Sequence, residues 1–213
     1  NMITNLIARA TFAKSNQEQK FNYQLGFDMS IEQGSGDKIM DYQQEIGDYA
    51  AFLSLKWDPV RSKDAERVIL SIQPGARVIY NTKYSAPLVY ALSARWNIVE
   101  PLSLRFSYSR GFRAPSIKEL YLEFVDVNHN VHGNPDLKAE KSNNFNLSLN
   151  WAREQRKVAW SMDLGAFYNV IENVILLAQT GGQLDYSYQN ISLYKTTGIQ
   201  AGLSYSAYPS FKF

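Results

Sequence analysis

The 213-residue sequence predicts an all-β fold: an antiparallel up-and-down transmembrane β-barrel. Three observations predict it. Apolar residues recur with period two, the alternating runs are long, and the connections between them alternate between compact and extended. Period two is the mark of a strand with one apolar face. Aromatics make up 14% of the chain, with 14 tyrosines, and gather in these runs, where pleated surfaces favour them.

Taken in order, Phe21, Tyr23, Leu25, Phe27, Met29 and Ile31 form the first clear face, opposite Asn22, Gln24, Gly26, Asp28 and Ser30. Tyr49, Ala51, Leu53, Leu55 and Trp57 form a second, and Leu88, Tyr90, Leu92, Ala94, Trp96 and Ile98 a third. Leu102, Leu104, Phe106 and Tyr108 alternate with Ser103, Arg105, Ser107 and Ser109. Phe145, Leu147, Leu149 and Trp151 oppose Asn144, Asn146, Ser148 and Asn150, and Ile199, Ala201, Leu203 and Tyr205 oppose Gln200, Gly202, Ser204 and Ser206.

Alternation alone suits a soluble β-sandwich equally well, for instance a carbohydrate-binding module whose apolar face turns inward. Length decides for the membrane. The runs read as about ten to thirteen residues, longer than the usual strand and close to what a tilted strand needs to cross a bilayer. Aromatics also sit at strand ends, as Tyr49 with Trp57 and Tyr90 with Trp96 and Tyr108, where an interfacial girdle would place them. Compact connections at 15–19, 58–67, 99–101 and 153–156 alternate with longer ones at 34–43, 81–86, 111–141 and 172–188. Membrane barrels show this asymmetry between short periplasmic turns and longer external loops. The connection at 58–67 is the exception, being no shorter than the one that follows it.

Composition excludes several classes. A net charge of +2 without any basic block offers nothing to a nucleic-acid backbone. The absence of cysteine removes disulfides, thiol nucleophiles and thiolate metal sites. No apolar run approaches the roughly 20 residues of a membrane helix, and no signal-peptide pattern opens at Asn1. No serine elbow or HExxH pattern accompanies the two histidines, so no catalytic residues are assigned and an enzyme is not expected. An outer-membrane hydrolase is the minor enzymatic alternative. Gly181 and Gly182 lie between strand-like runs and read as a hairpin turn.

The stretch 111–141 holds both histidines, His129 and His132, and is the largest external loop. Ile117, Leu120, Tyr121 and Phe124 recur at helical spacing behind Ser116, with Glu119 three residues on, which is the capping-box pattern. This predicts a short helix over 116–124 folding its apolar face onto the barrel rim. Pro115 and Pro135 remove backbone donors and hold Ala114 and Asn134 extended, and Asn134 initiates a turn. The two proline boxes are therefore expected chiefly as loop anchors, with Arg113 suited to anchoring or to ligand contact.

FRAPS at 112–116, GNPDLKAEKSNNF at 133–145 and YQNISLYKTTGIQAGLSY at 188–205 together resemble the barrel domain of TonB-dependent outer-membrane receptors. The last segment resembles a strand that in this family commonly ends in Glu where Gln200 stands here. The resemblance implies that residues 1–213 are part of a larger barrel of about 22 strands, supplying about nine or ten of them. It further implies that the plug domain and its energy-coupling box lie outside the chain, and that the segment through Pro209 to Phe213 is a truncation rather than a barrel terminus.

By that resemblance the protein is expected in the outer membrane of a Gram-negative bacterium, embedded in its lipid. It would take up a scarce nutrient, an iron complex such as haem or a ferric siderophore, driven through the plug by the inner-membrane TonB complex. No resident cofactor is expected, haem entering only as transported ligand. Boxes flanking a histidine resemble haem-uptake receptors, which makes His129 and His132 the candidate haem-iron ligands, with Tyr121 and Arg113 as further ligand contacts. A passive pore or adhesin is the alternative within the membrane.

Overall fold

The computed structural model describes residues 2–15, 20–62, 67–127, 130–155, 158–182 and 184–207. Pro209, Phe213 and His129 lie outside the described residues. The alternating runs become β1 (Met2–Lys14), β2 (Phe21–Ser35), β3 (Gln43–Arg61), β4 (Val68–Asn81), β5 (Val89–Val99) and β6 (Leu102–Arg113). After these come α1 (Ile117–Tyr121), β7 (Glu123–Val125), β8 (Asn130–His132), β9 (Glu140–Gln155), β10 (Val158–Gln179) and β11 (Asp185–Ala207).

One open sheet holds every strand, in the order β1-β2-β3-β4-β5-β6-β9-β10-β11-β8-β7. Each long strand pairs antiparallel with its successor, so the architecture is the expected up-and-down meander. The excursion between β6 and β9 leaves the meander. Its β7 and β8 form a small hairpin, and β8 adds in parallel to the start of β11, with His132 opposite Ser187.

Register sets the faces. Trp96, Leu104, Leu149, Leu164 and Ala201 are successive partners across five strands, and Ala94, Phe106, Leu147, Ala166 and Ile199 form the next row. A one-residue slip anywhere would turn a whole strand over. On this outer face aromatic neighbours collect in two bands. Tyr90, Tyr108, Phe145 and Tyr168 form a chain with ring centroids 5.8, 4.7 and 6.4 Å apart. Toward the other end, Phe21 stacks on Trp57 at 5.8 Å and Trp160 meets Tyr205 at 4.6 Å. From Tyr49 to Trp57, or from Trp160 to Tyr168, the strand advances about 27 Å. At the usual barrel tilt this is a height of about 20 Å, close to the apolar band of an outer-membrane barrel.

The opposite, inner face is polar and carries its own ion pairs. Arg9 on β1 and Arg77 on β4, with β2 and β3 between them, both hold Asp28 of β2. Asp48 accepts from Asn81 Nδ2 at 2.9 Å. Among the described residues the buried hydrophobic cluster lies beyond the apolar band, with Ile46 of β3 and Ile175 of β10 as its members from the wall strands. It sits at one end, where Ile39, Ile46, Ile117, Leu120, Tyr121, Leu137 and Ile175 pack together.

The structure departs from the sequence reading in three places. The segment 172–188 is not a long loop: β10 and β11 stay paired out to Gln179 opposite Tyr186, and Thr180 N still donates to Asp185 O. One register runs the whole length, from Val158 opposite Ala207 to Gln179 opposite Tyr186, even though Asn173 adopts a φ of 57°. The strands also exceed the expected length, reaching 22 and 23 residues in β10 and β11, because they continue beyond the apolar band. Finally, the helix stops at Tyr121, and Phe124 lies on β7, where Lys38 Nζ sits 4.0 Å from its ring centroid. The irregular connection at 58–67 resolves favourably, since Arg61 pairs with Val68 and only residues 62–67 separate the strands.

Candidate functional site

The loop between β6 and β9 folds down onto the inner side of the rim. Ser116 Oγ accepts from Glu119 N at 3.3 Å, and Glu119 Oε2 accepts from Ser116 N at 2.8 Å, so the expected capping box closes. Ile117 N donates to Glu32 Oε2 of β2 at 3.1 Å, tying the helix start to the wall. Close approach demands small residues opposite the helix. A Cβ on Gly34 would lie 2.7 Å from Ile117 Cγ2, and one on Gly133 would lie 2.6 Å from the backbone of Leu120.

Arg113 ends β6 with its guanidinium gripped by two carboxylates. Nε and Nη2 each donate to Glu140 at 2.8 Å, and Nη1 donates to Glu119 Oε2 at 2.8 Å. Glu140 Oε1 also accepts from Ile175 N at 2.8 Å. Two-pronged contacts of this kind fix orientation as well as charge. The hydrogen bonds to Glu140 and then to Glu119 raise the Arg113 pKa above its ordinary value despite burial. Glu140, lying beyond the aromatic band, is held below the usual carboxylate range, first by Arg113 and then by the Ile175 N–H.

The second proline box closes the loop from the other side. Asn134 Oδ1 accepts from Asp136 N at 3.0 Å, and Asn134 Nδ2 donates to Tyr188 O of β11 at 2.9 Å. Lys138 N donates to Asn190 Oδ1 at 2.8 Å, and Asn190 Nδ2 donates to Lys138 O at 3.0 Å and Asn173 O at 2.7 Å. The three segments that looked alike to a known family in sequence are thus bonded to one another in space.

Tyr121 is buried beneath the rim, and Lys83 of the 82–88 connection donates to its hydroxyl. That connection is shaped by buried Asn81, whose Oδ1 accepts from Lys83 N at 2.9 Å and Tyr84 N at 2.7 Å. Tyr84 donates its hydroxyl to Leu137 O at 3.0 Å. Burial, with Tyr121 and Glu119 nearby, pushes its pKa up to about 12.

The structure therefore brings Arg113 and Tyr121 into one anchored rim and sets His132 apart. His132 is exposed on β8, opposite Glu123 on one side and Ser187 on the other. Near it, Asp185 is lowered in pKa by the Asn130 amide, the Gly182 N–H and the charge of His132. Among the described residues, no three His, Asp or Glu side chains gather as a metal site. Beside the end of β6 the inner wall leaves a chamber of about 440 Å³ bordered by Asp48, Arg77, Ile79 and Arg113. Sequence reasoning missed Asn81, Tyr84, Glu140 and Asn190. Asn81 had a legible signal, an Asn opening a polar turn; the others act over sequence distances that no local pattern reports.

Comparison with known proteins places the chain. The family model described as TonB dependent receptor-like, beta-barrel matches residues 5–213. The iron-regulated outer membrane virulence protein of Vibrio cholerae is 33% identical over 106 residues, 47% of this chain and 15% of its own length. Hemoglobin-haptoglobin utilization protein B of Neisseria meningitidis is 32% identical over 88 residues, 41% of this chain and 11% of its own. Among solved structures, the siderophore receptor PirA from Pseudomonas aeruginosa superposes with a TM-score of 0.74 at 15% identity, covering 94% of this chain and 37% of PirA. The hemophore receptor HasR of Serratia marcescens, solved with its hemophore HasA and heme, gives 0.74 at 15%, covering 96% and 39%. The alignments thus span only a minor part of each relative, and the two solved structures carry the same fold. With a barrel-family match over nearly its whole length and two aromatic bands about an apolar face, this chain is an outer-membrane protein belonging to the TonB-dependent receptor β-barrel family.

Proposed function

We propose that the protein takes up a scarce iron complex, haem or a ferric siderophore, across the outer membrane in a TonB-dependent manner. The observation that carries this reading is the loop folded over the inner rim, with a chamber of about 440 Å³ on the inner wall bordered by Asp48, Arg77 and Arg113, and with His132 exposed on β8. Two relatives, an iron-regulated outer membrane virulence protein and a hemoglobin-haptoglobin utilization protein, support the iron reading. The division of labour is physical. External segments capture the ligand, the lumen and a plug complete the site, and an inner-membrane complex supplies the work, so this barrel performs no chemistry of its own.

Within that reading His132, with His129, is the candidate ligand to haem iron through a neutral ring nitrogen. Arg113 borders the chamber and Tyr121 supports the rim from beneath, roles that grow in weight if the ligand is a siderophore whose iron offers no open axial position. The test compares binding of haem and ferric siderophores to the full-length protein and to the His129→Ala, His132→Ala double variant. Haem ligation by histidine predicts a changed haem spectrum and weakened haem affinity with folding intact. An unchanged spectrum and affinity rejects the histidine role. Uptake that continues without the inner-membrane energy complex would instead favour a passive pore.

A further inference from the structure

At the turn-side end of the inner wall, the charge pattern differs from that around Asp28. Arg95 on β5 and Arg105 on β6 are direct cross-strand partners, and both project from the lumenal face. Like charges placed opposite each other across an antiparallel pair oppose the pairing. Lys56 of β3 reaches the same place. Together with Gln73 and Ser93, these three cations line a cavity of about 420 Å³ whose lining contains no carboxylate among the described residues.

The nearby acids are engaged elsewhere. Asp58 is buried and pairs with Arg61 at 3.2 Å, with Lys56 only at 3.9 Å. Glu100 pairs with Arg67 at 3.6 Å, and Asp163 accepts from Asn150. Arg95 donates Nε to Asn97 Oδ1 at 3.0 Å, which leaves the remainder of its fork directed at the lumen. Among the described residues no carboxylate comes within ion-pair distance of Arg95 or Arg105. Higher on the same wall, two arginines enclose Asp28, so the sheet supplies its own anion there. Here, among the described residues, it supplies none to Arg95 or Arg105.

We propose that Lys56, Arg95 and Arg105 form a binding site for an oxyanion, a carboxylate or phosphate group, on the inner wall. Two guanidinium forks facing one cavity match the paired oxygens of such a group, and the lysine adds a point charge. The oxyanion has two sources: a dissolved polyanion, or the carboxylate side chains of a protein segment lying in the lumen.

Thermal unfolding and calorimetry of the full-length protein in detergent separate them, with citrate and inorganic phosphate as probes against chloride of matched ionic strength. For a dissolved anion, citrate raises the Tm, and Arg95→Gln with Arg105→Gln weakens its binding at least about tenfold without lowering the Tm of the protein alone. Arg105→Lys, which keeps the charge and loses the fork, falls between. For a protein segment, citrate has no effect and the double variant itself lowers the Tm. A citrate or phosphate response that persists undiminished in the double variant overturns the site. So does the absence of any response combined with an undiminished Tm in that variant.

Discussion

At the rim, Ile117 and Leu120 are fully withdrawn from solvent, while on the wall Phe106 and Leu147, with strands on both sides, remain 38% and 47% exposed. The two regions use the same kind of side chain against different surroundings. Rim residues are covered by other parts of the chain, from β3, the 36–42 connection, the 133–139 segment and β10. Wall residues have no protein cover on the outer face, and their rows run flat across neighbouring strands. The rim is thus a small water-soluble core built by hydrophobic collapse, and the wall is a surface completed by lipid. Stability at the rim follows packing, and stability on the wall follows depth in the bilayer.

The comparison breaks most sharply at the helix. Leu120→Ala should destabilise the docked loop by about 2–5 kcal/mol, the range for a buried leucine truncation. Hydrogen exchange of residues 117–122 should rise while the backbone of β9 and β10 stays protected. Equal loss of protection in both regions would mean that the rim and wall unfold as one unit.

On the wall, Leu147→Arg should cost about 2–4 kcal/mol in a bilayer, as a charge near the membrane midplane does. Single cysteines sharpen the assignment. Those at Leu104, Phe106, Leu147, Leu149 and Leu203 should resist water-soluble thiol reagents in membranes, and those at Ser107, Ser148 and Ser204 should react. The reverse pattern would invert every face.

A smaller effect belongs to the ionic anchor. Because Glu140 is held below its ordinary carboxylate pKa of 4.5 in the folded rim, its contribution is present above that value and is lost as pH falls through the lowered one. Exchange protection of α1 should therefore drop on acidification below about pH 4, and Glu140→Gln should flatten that response. A pH profile identical in wild type and variant would assign the acid sensitivity to other groups.

The smallest effect is expected at Tyr84. Its pKa is raised to about 12, so its protonated form is favoured by folding, and that contribution is undiminished below the ordinary value of 10.0. It declines as pH rises toward the folded value. Loosening of the 82–88 connection between these limits should be absent in Tyr84→Phe, measured by exchange or by tryptic cleavage at Lys83.

Much of this was legible in the residues themselves. The outward faces of β2, β3, β5, β6, β9 and β11 follow from alternation, since each strand keeps period two whatever lies beside it. The capping box at Ser116 and Glu119 is equally local, needing only three residues of separation. The end of the helix was less so: Phe124 keeps helical spacing, yet Leu122 pairs with Ile39 instead and the chain turns to strand. The projection of β10 and β11 beyond the apolar band was hidden as well, because period two lapses in the continuous apolar run Val174 to Ala178 and two glycines follow, so the ladder that holds the stretch is unseen.

What the sequence determined by itself was the two faces of β2, β3, β5, β6, β9 and β11 and the class of membrane-spanning sheet, because periodicity, capping and composition are properties of neighbours along the chain. What only the tertiary structure decided was which motifs meet. Arg113 finds Glu140 at a separation of 27 residues, Asn134 finds Tyr188 at 54, and Ile117 finds Glu32 at 85. Those partners are chosen by strand order and register, and by a helix that can reach the wall only where Gly34 and Gly133 leave room for it.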